Sequence, residues 1–556
     1  MEGIYKIDDE RNVFIQALDF PKIEYNEMAQ DTDFHRFVVR MFQNYAIKKL
    51  IIPVHLGNAG IKFRGLKLAL HIRLTAEIGM GRFVPIVFVS EDDFENNMFS
   101  AKNNNLNLNY LLLTEGCVLV EEDAALIKKL VESKQAIDPL KFKSEVLDRL
   151  KILPSEGTGK HSLANQWGAF RLDEMAHTQA LDSKKNLKNS QKELYFKYIR
   201  AFNDDYNDLD KAANTVNLPV KTIPSTNKRI LLIDDEENKG WSDVLSKMFI
   251  GADFQKIDGS KSFSPFKQEA ENKIEQEQWD LILLDLRLNP SREDSPEFIA
   301  EGKIDNYSGT ELLKLIKAKN KGTQVIIFTA SNKAWNMKSL LELHADGYFI
   351  KESPELGFTN DFSRENVDNF ISTAKNCLEK GYLQDHFTQK QRIEGLLQVK
   401  SNNSTNIQDY NDFLNELITQ IDISYNLLYP ANSVSEFAYA FFSLYKVLEA
   451  IGIKKTPNNI PLSRNYKWNE VNKSLEPNVG PKNNSLTSGV FQRITDIHKV
   501  QQNLNDNTFF EKLYWVKECR NHVGHALTNT TPAEIAKFKG RYLDLLEIIE
   551  SIMSVL

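Results

Sequence analysis

The sequence predicts a multidomain protein in which two α/β blocks precede an all-α block. Short apolar runs in the first two blocks, such as VPIVFV at 84–89 and LILL at 281–284, are typical of buried parallel strands. Helical apolar repeats separate these runs, as crossover connections between parallel strands require. From residue 409 to 556 the apolar residues follow only a helical repeat, apart from a Pro- and Asn-rich interruption at 456–484. We therefore expect two helix-covered parallel sheets and a separate helical bundle.

Composition and charge exclude several classes of function. The 556 residues carry 69 Lys and Arg against 76 Asp and Glu, a net charge of −7, without the basic excess of a nucleic-acid coat. No apolar run has the length of a membrane span, and the N-terminal segment MEGIYKIDDERN is polar and acidic, unlike a signal peptide. The three cysteines form neither a CxxC pair nor a disulfide framework. We expect a soluble cytoplasmic protein with no membrane partner.

Changes in composition along the chain divide it into five segments. The first α/β block covers 1–150, and a helical connector with a linker, rich in Lys, Asn, Gln and Asp, covers 151–226. The second α/β block covers 227–385. A linker is predicted at 386–407, where the polar run SNNSTN occurs, and the helical block covers 408–556.

Polar side chains follow all four apolar strands of the central block. Asp234 and Asp235 follow the first strand, Asp285 the second, Thr329 the third and Lys351 the fourth. Open α/β sheets bind ligands at the carboxyl ends of their strands. Three carboxylates brought together repel one another unless a cation joins them, and Mg²⁺ is a hard ion that prefers oxygen ligands. The hydroxyl and the ammonium would complete a cradle for a phosphoryl group that arrives at Asp285.

These motifs resemble the receiver domain of two-component response regulators, which has a flavodoxin-like doubly wound fold, over roughly 228–385. The matching segments are ILLIDDE, LILLDL, SGTELLKLIK, IFTAS and GYFIK, in this order. The resemblance implies that Asp285 is phosphorylated by a sensor histidine kinase or a phosphotransfer protein. It also implies that Mg²⁺ is the cofactor, bound by Asp234, Asp235, Asp285 and the carbonyl oxygen of Arg287.

The resemblance extends to the later strand ends, with two departures. It implies that Thr329 and Lys351 contact the phosphoryl group and that Tyr348 is the aromatic residue that switches rotamer. The loop 289–307, however, is much longer than the usual turn of the family, and is either a partner-specific lid or a disordered insertion. In addition, Glu352 stands where the family usually has proline.

The first α/β block has a similar order of segments without the acidic strand ends. Its segments LIIPV, GLKLALHIRLT, VPIVFVS and LLLTE bring His55, Ser90 and Glu115 near the expected positions of the acceptor, the hydroxyl and the lysine. Without an acidic triad, we expect neither a metal ion nor a phosphoryl group there. We interpret the block as a degenerate receiver-like module for dimerisation or docking, and a plain α/β domain of another kind is the alternative.

The connector contains the segment KHSLANQWGAF at 160–170. Its His-x-Leu-x-Asn pattern resembles the histidine box of sensor kinases and phosphotransfer domains, which implies that His161 exchanges a phosphoryl group with Asp285. The alternative is a plain helix that Ser162 caps and whose apolar side contains Trp167.

The C-terminal block contains a short motif at the end of a predicted helix, with Arg520, Asn521 and then His525. A guanidinium group stabilises a pentacoordinate phosphate, and a histidine moves protons near neutral pH. The segment RNHVGH, followed by an apolar helix at 533–556, resembles the HEPN domain, whose R-x(4–6)-H motif forms a metal-independent RNase site at a dimer interface. The resemblance implies that Arg520, Asn521 and His525 are catalytic and that RNA is the substrate. Alternatively, the motif closes a helix end and the block only binds nucleotides or proteins.

We expect a phosphorylation-controlled response regulator in which the receiver domain gates a HEPN-type RNase, assembled as a homodimer. The alternative is a response regulator with a non-catalytic HEPN-like dimerisation or binding domain in a phosphorelay. A DNA-binding transcriptional regulator is disfavoured, because basic and acidic residues nearly balance over 401–556 and no short helix-turn-helix signature is present.

Overall fold

The structure is a computed structural model in which most of the chain is described. The described residues are 2–57, 63–91, 108–150, 152, 160–182, 192–202, 219–293, 295, 298, 304–329, 334–353, 359–403, 408–454, 466–477, 494–495, 497–498, 506–523 and 532–555. Within these ranges, no helix combines the length and the apolar character that crossing a membrane requires.

The first block is a five-stranded parallel sheet with helices on both faces. Its strands are Ile4–Asp8 (β1), Lys22–Glu24 (β2), Lys49–Pro53 (β3), Ile86–Ser90 (β4) and Cys117–Glu121 (β5). Its α-helices are Val13–Ala17 (α1), Asp31–Asn44 (α2), Arg64–Leu74 (α3), Ala124–Ser133 (α4) and Phe142–Glu145 (α5). The strand order is β2-β1-β3-β4-β5. Strands β3 and β4 lie inside the sheet and are almost entirely buried, which explains their unbroken apolar runs.

The connector contributes two helices, Lys160–Ala176 (α6) and Leu194–Phe202 (α7), and each packs on a different block. Leu172 of α6 is buried in the core of the central block, whereas Leu194 of α7 is buried in the core of the first block. The described residues of the predicted connector at 151–226 therefore include two helices, and each of them is part of a neighbouring core.

The central block is a second five-stranded parallel sheet. Its strands are Arg229–Ile233 (β7), Asp253–Lys256 (β9), Leu281–Asp285 (β10), Gln324–Thr329 (β11) and Gly347–Ile350 (β12), and a separate short pair joins Ile223–Pro224 (β6) to Phe249–Ile250 (β8). Its helices are Trp241–Met248 (α8), Phe263–Gln276 (α9), Pro290–Glu293 (α10), Ser308–Lys319 (α11), Ala334–Glu342 (α12) and Asn360–Glu379 (α13). The order β9-β7-β10-β11-β12 repeats the second-first-third-fourth-fifth order of the first sheet.

The C-terminal block is a helical bundle with one common core. Its described helices are Tyr382–Asn403 (α14), Gln408–Leu428 (α15), Val434–Lys454 (α16), Asn507–Val523 (α17) and Pro532–Val555 (α18), and a hairpin joins Tyr466–Asn469 (β13) to Ser474–Pro477 (β14). One expectation is wrong here. The predicted linker at 386–407 is helical to Asn403, and its Ile393 and Leu397 are fully buried in the bundle core. The hairpin lies within the interruption at 456–484 that separates the helical parts of the block.

Candidate functional site

Three carboxylates meet at the carboxyl edge of the central sheet. Asp285 ends β10, and Asp234 and Asp235 follow the neighbouring strand β7. Because Leu284 pairs with Ile233, the next residues, Asp285 and Asp234, lie side by side. One carboxylate oxygen of each of the three residues lies within 4.8 Å of the others. Among the residues that the structure describes, this is the group of acidic, His or Cys side chains that meets the spacing of a metal site.

The electrostatics of the three carboxylates fit a divalent cation. Burial, together with the charges of Asp285 and Asp234, raises the pKa of Asp235 to about 8. Oδ1 of Asp235 is buried and accepts no hydrogen bond. The backbone N–H of Arg287 donates to Oδ1 of Asp285 at 3.3 Å, so Arg287 lies beside the acidic group. Three mutually repelling carboxylates, one with a buried oxygen that accepts no hydrogen bond, form a set of oxygen ligands that Mg²⁺ fits.

Lys351 brings a buried positive charge to the same edge. Its Nζ lies 2.5 Å from Oδ2 of Asp285 and 2.8 Å from Oδ2 of Asp234, and the residue is 2% exposed. Burial lowers the pKa of this ammonium, but the two adjacent carboxylates outweigh burial and hold the pKa above its ordinary value. Lys351 is therefore a cation throughout the neutral range.

Thr329 and Tyr348 flank the site on the last two strands. Thr329 ends β11 and is buried, and its carbonyl oxygen accepts the backbone N–H of Lys351 at 2.7 Å. The hydroxyl and the ammonium are therefore carried by adjacent strand ends, as the resemblance implies. Tyr348 is 42% exposed, so its ring lies at the surface in this structure.

The loop after Asp285 is anchored by a buried glutamate. Helix α10 begins the long segment 289–307, and Glu293 at its end is fully buried. Glu293 accepts the backbone N–H of Ser308 at 2.7 Å, at the start of α11. A side chain at Gly309 would place a Cβ only 2.1 Å from the carbonyl oxygen of Asp285, so this contact requires glycine. Most of 294–303 lies outside the described residues, and neither the lid nor the disorder expected there is tested.

Two residues acquire roles that the sequence does not predict. Glu352, which departs from the family's proline, is buried and forms an ion pair with Arg171 of α6, with Nε and Oε2 3.2 Å apart. Asn165, the last residue of the His-x-Leu-x-Asn pattern, accepts a hydrogen bond from Nζ of Lys351 at 2.9 Å. The backbone of His161 lies in the first turn of α6, and its side chain is outside the described residues.

The first sheet has different residues at the corresponding strand ends. Pro53 pairs with Val89, just as Asp285 pairs with Phe328, so Pro53 occupies the acceptor position. Ser90 occupies the hydroxyl position, as predicted.

The other two assignments for the first sheet are wrong. His55 lies two residues beyond Pro53, and Glu115 precedes β5. Since Ser90 pairs with Glu121, the residue that corresponds to Lys351 is Glu122.

The first sheet also contains an acidic pair that was not among the predicted strand ends, although residues 7–10 repeat the sequence IDDE of residues 233–236. Strand β1 pairs Lys6 with Ile51, so its end, Asp8, lies beside Pro53. Asp8 and Asp9 therefore correspond to Asp234 and Asp235. Asp9 accepts the backbone N–H of Gly57 at 2.7 Å, and Asp8 lies 3.6 Å from Lys22. The pair is thus retained at an edge that has neither the acceptor aspartate nor the lysine.

The described part of the C-terminal motif is engaged in a structural contact. Arg520 and Asn521 lie near the end of α17, and His525 lies outside the described residues. The guanidinium of Arg520 is 3.7 Å from Oε1 of Glu449 on α16. Convergence of Arg520 with His525 is therefore not tested.

Comparison with known proteins identifies one segment of the chain. Residues 4–120 match the inactive receiver domain family. The match confirms that the first block is receiver-like, against the alternative of another α/β domain, and its five-stranded parallel sheet fits the flavodoxin-like receiver fold. Pro53 stands at the acceptor position and has no carboxylate to accept a phosphoryl group, which agrees with an inactive receiver domain. No curated protein shows significant similarity to the chain.

Proposed function

We propose that the protein is a signalling switch in which an inactive receiver domain precedes a central receiver domain that accepts a phosphoryl group on Asp285. The observation that carries the proposal is the buried ion cluster of Asp234, Asp285 and Lys351 at the carboxyl edge of the central sheet. The strand order of the central sheet equals that of the first sheet, and the first block matches the inactive receiver domain family. The donor would be a sensor histidine kinase or a phosphotransfer protein.

In the proposed reaction, a carboxylate oxygen of Asp285 attacks the phosphorus atom of a phosphohistidine. The O–P bond forms as the P–N bond breaks, and the released imidazole keeps the electron pair and takes up a proton from solvent. Lys351 and the Thr329 hydroxyl would donate hydrogen bonds to the phosphoryl oxygens. A bound Mg²⁺, held by Asp234, Asp235, Asp285 and the Arg287 carbonyl, would neutralise charge on the transferred group.

The helical block is the proposed output, and its contact with the central block supports this role. Lys317 of α11 lies 2.6 Å from Asp346, which precedes β12, and both side chains are buried. Tyr429, at the end of α15, donates its hydroxyl to Asp346 at 2.5 Å and accepts from Lys317 at 3.0 Å. A movement of β12 on phosphorylation would therefore reach the bundle through this polar contact.

The experiment for the acceptor is intact-mass measurement after incubation with acetyl phosphate and Mg²⁺. We expect the wild-type chain to gain one phosphate and Asp285→Asn to gain none. An equal gain in Asp285→Asn would refute the assignment.

The output is either a HEPN-type RNase or a binding and dimerisation domain. The ion pair of Arg520 with Glu449, 3.7 Å apart, favours the second candidate, because the carboxylate would compete with an RNA phosphate for the guanidinium. Incubating the full chain with RNA, with and without beryllofluoride as a phosphoryl mimic, separates the two. Metal-independent cleavage that is lost in His525→Ala would establish the RNase. Absence of cleavage, together with a dimer in sedimentation that beryllofluoride shifts, would establish the binding domain.

A further inference from the structure

Three oxygen atoms surround the buried ammonium of Lys351, and one belongs to a residue outside the central sheet. Two are the carboxylate oxygens of Asp285 and Asp234, at 2.5 and 2.8 Å. The third is Oδ1 of Asn165, at 2.9 Å, in connector helix α6. Lys351 donates hydrogen bonds to Asp285 and Asn165 and forms an ion pair with Asp234, and together these contacts define the orientation of the ammonium.

The Asn165 side chain is itself fixed. Its Oδ1 also accepts the indole N–H of Trp241, at 3.1 Å, and the residue is 3% exposed. The ring of Trp241 lies beside Lys351, with its centre 5.4 Å from Nζ. Truncation of Asn165 would therefore remove the shared acceptor of two buried donors, an ammonium and an indole.

Close packing and a buried polar network hold helix α6 against the strand end that carries Lys351. A Cβ at Gly168 would lie 2.7 Å from the carbonyl oxygen of Glu352 and 3.0 Å from the Trp241 ring, an approach that only glycine permits. One turn later, Arg171 forms its ion pair with Glu352 and donates to Ser363 at 2.8 Å. Because Glu352 directly follows Lys351, this network fixes the helix relative to the lysine.

We propose that Asn165 is a positioning residue for phosphoryl transfer to Asp285. It holds the Lys351 ammonium between the carboxylates, so that the ammonium meets the incoming phosphoryl group without first reorienting. The inference rests on the proposed function of Asp285 and adds to it: the reactivity of the acceptor depends on a helix contributed by the connector.

The test compares the rate of phosphate gain from acetyl phosphate, by intact mass, in the wild type, Asn165→Ala and Asn165→Leu. Gln166→Ala is the matched control, because Gln166 is the next residue of α6 and is exposed. We expect both Asn165 variants to be slowed by about tenfold, as loss of a hydrogen bond to a charged group predicts, and Gln166→Ala to match the wild type. Mg²⁺ affinity should be unchanged, since Asn165 contacts the ammonium.

A second readout does not depend on phosphorylation. Solvent exchange of the Lys351 ammonium protons, measured by NMR after lysine-selective nitrogen-isotope labelling, should be faster in Asn165→Ala than in the wild type or Gln166→Ala. If Asn165→Ala does not fold, as judged by circular dichroism, Asn165→Leu decides.

The possible results separate the two proposals. A wild-type chain that gains no phosphate refutes the function of Asp285, and the exchange rates of the ammonium protons then decide whether Asn165 positions Lys351. If both Asn165 variants accept phosphate at the wild-type rate, the inference is overturned. This holds even if the variants melt at a lower temperature, because Asn165 would then be only a structural residue. A parallel loss of Mg²⁺ affinity would overturn it too, because Asn165 would then act through the carboxylates.

Discussion

The first and the central sheets have the same strand order but differ in the chemistry of their carboxyl edges. The central edge combines Asp285 with a buried Lys351, whereas the first edge has Pro53 and Glu122 at the corresponding positions. An acidic pair is present at both edges. The comparison shows that two sheets of the same strand order can differ at the acceptor and lysine positions, the two positions on which the proposed reaction depends.

The connector also attaches differently to the two blocks. At the central block, α6 reaches the strand ends and Asn165 contacts Lys351. At the first block, Lys197 of α7 contacts the C-terminal half of α3, with Nδ1 of His71 at 3.0 Å and the Thr75 hydroxyl at 2.6 Å. The first attachment touches a candidate reactive site, whereas the second stabilises a helix interface.

The largest expected effect concerns the acceptor position. Asp285→Asn should abolish phosphate gain, while Pro53→Asp should not create a second acceptor, because Glu122 stands where the lysine is required. Mass spectrometry of proteolytic peptides after acetyl phosphate treatment distinguishes the two sites. Phosphate found on the first block of the Pro53→Asp variant would show that an aspartate alone is sufficient.

The next largest effect concerns the attachment of α6. Arg171→Met leaves Glu352 buried without its partner, which should cost about 3–5 kcal/mol, as removal of one member of a buried ion pair does. Hydrogen exchange of the α6 amides measures the loss. The double variant Arg171→Met with Glu352→Gln should recover part of it. Hydrogen exchange of the α7 amides is the internal control. Equal loss of protection in α6 and α7 would contradict the conclusion that the two helices attach to different blocks.

The two acidic pairs should differ in metal affinity. Asp235→Asn should raise the Mg²⁺ dissociation constant by about tenfold or more, since it removes a charge beside the ion, and Asp9→Asn should leave it unchanged. Because the pKa of Asp235 is raised to about 8, Mg²⁺ must displace a proton at lower pH. Affinity should therefore fall by up to about tenfold per pH unit below 8, and this dependence should weaken in Asp235→Asn. Fluorescence titration measures the Mg²⁺ affinity and its dependence on pH. Equal effects of Asp235→Asn and Asp9→Asn would contradict the predicted difference between the two acidic pairs.

The smallest effect concerns the buried lysine of the first block. Burial lowers the pKa of Lys197 to about 7, so between pH 7 and the ordinary lysine pKa the unfolded chain binds more protons than the folded chain. The free energy of unfolding should then rise with pH in this window, by at most about 1.4 kcal/mol per unit. Urea denaturation of the wild type and Lys197→Met measures the difference. Equal slopes in the two proteins would show that Lys197 does not titrate there.

Local sequence signals explain why the central strand ends were predictable and why β1 was not. Strands β7, β10 and β11 each contain an unbroken apolar run that an Asp or Thr follows directly. This pattern is visible in the sequence without any tertiary information. Strand β1 contains Lys6, which interrupts its apolar run. In the fold, the Lys6 ammonium is buried because it donates to the carbonyl oxygens of Ile15, Gln16 and Leu18 at 2.7–2.8 Å. The acidic pair after β1 was missed together with the strand, although the sequence IDDE at 7–10, identical to that at 233–236, identifies it.

The sequence by itself determined the two α/β blocks and the helical character of the C-terminal block, because the period of apolar residues is a local property. It also determined the polar residues at the central strand ends, because each directly follows its apolar run. The tertiary structure alone decided which residue of the first sheet faces the acceptor position, since register depends on pairing between distant strands. It also decided the roles of Glu352 and Asn165. Asn165 is 186 positions from Lys351 in the chain, and only the packing of α6 on the central sheet brings their side chains together.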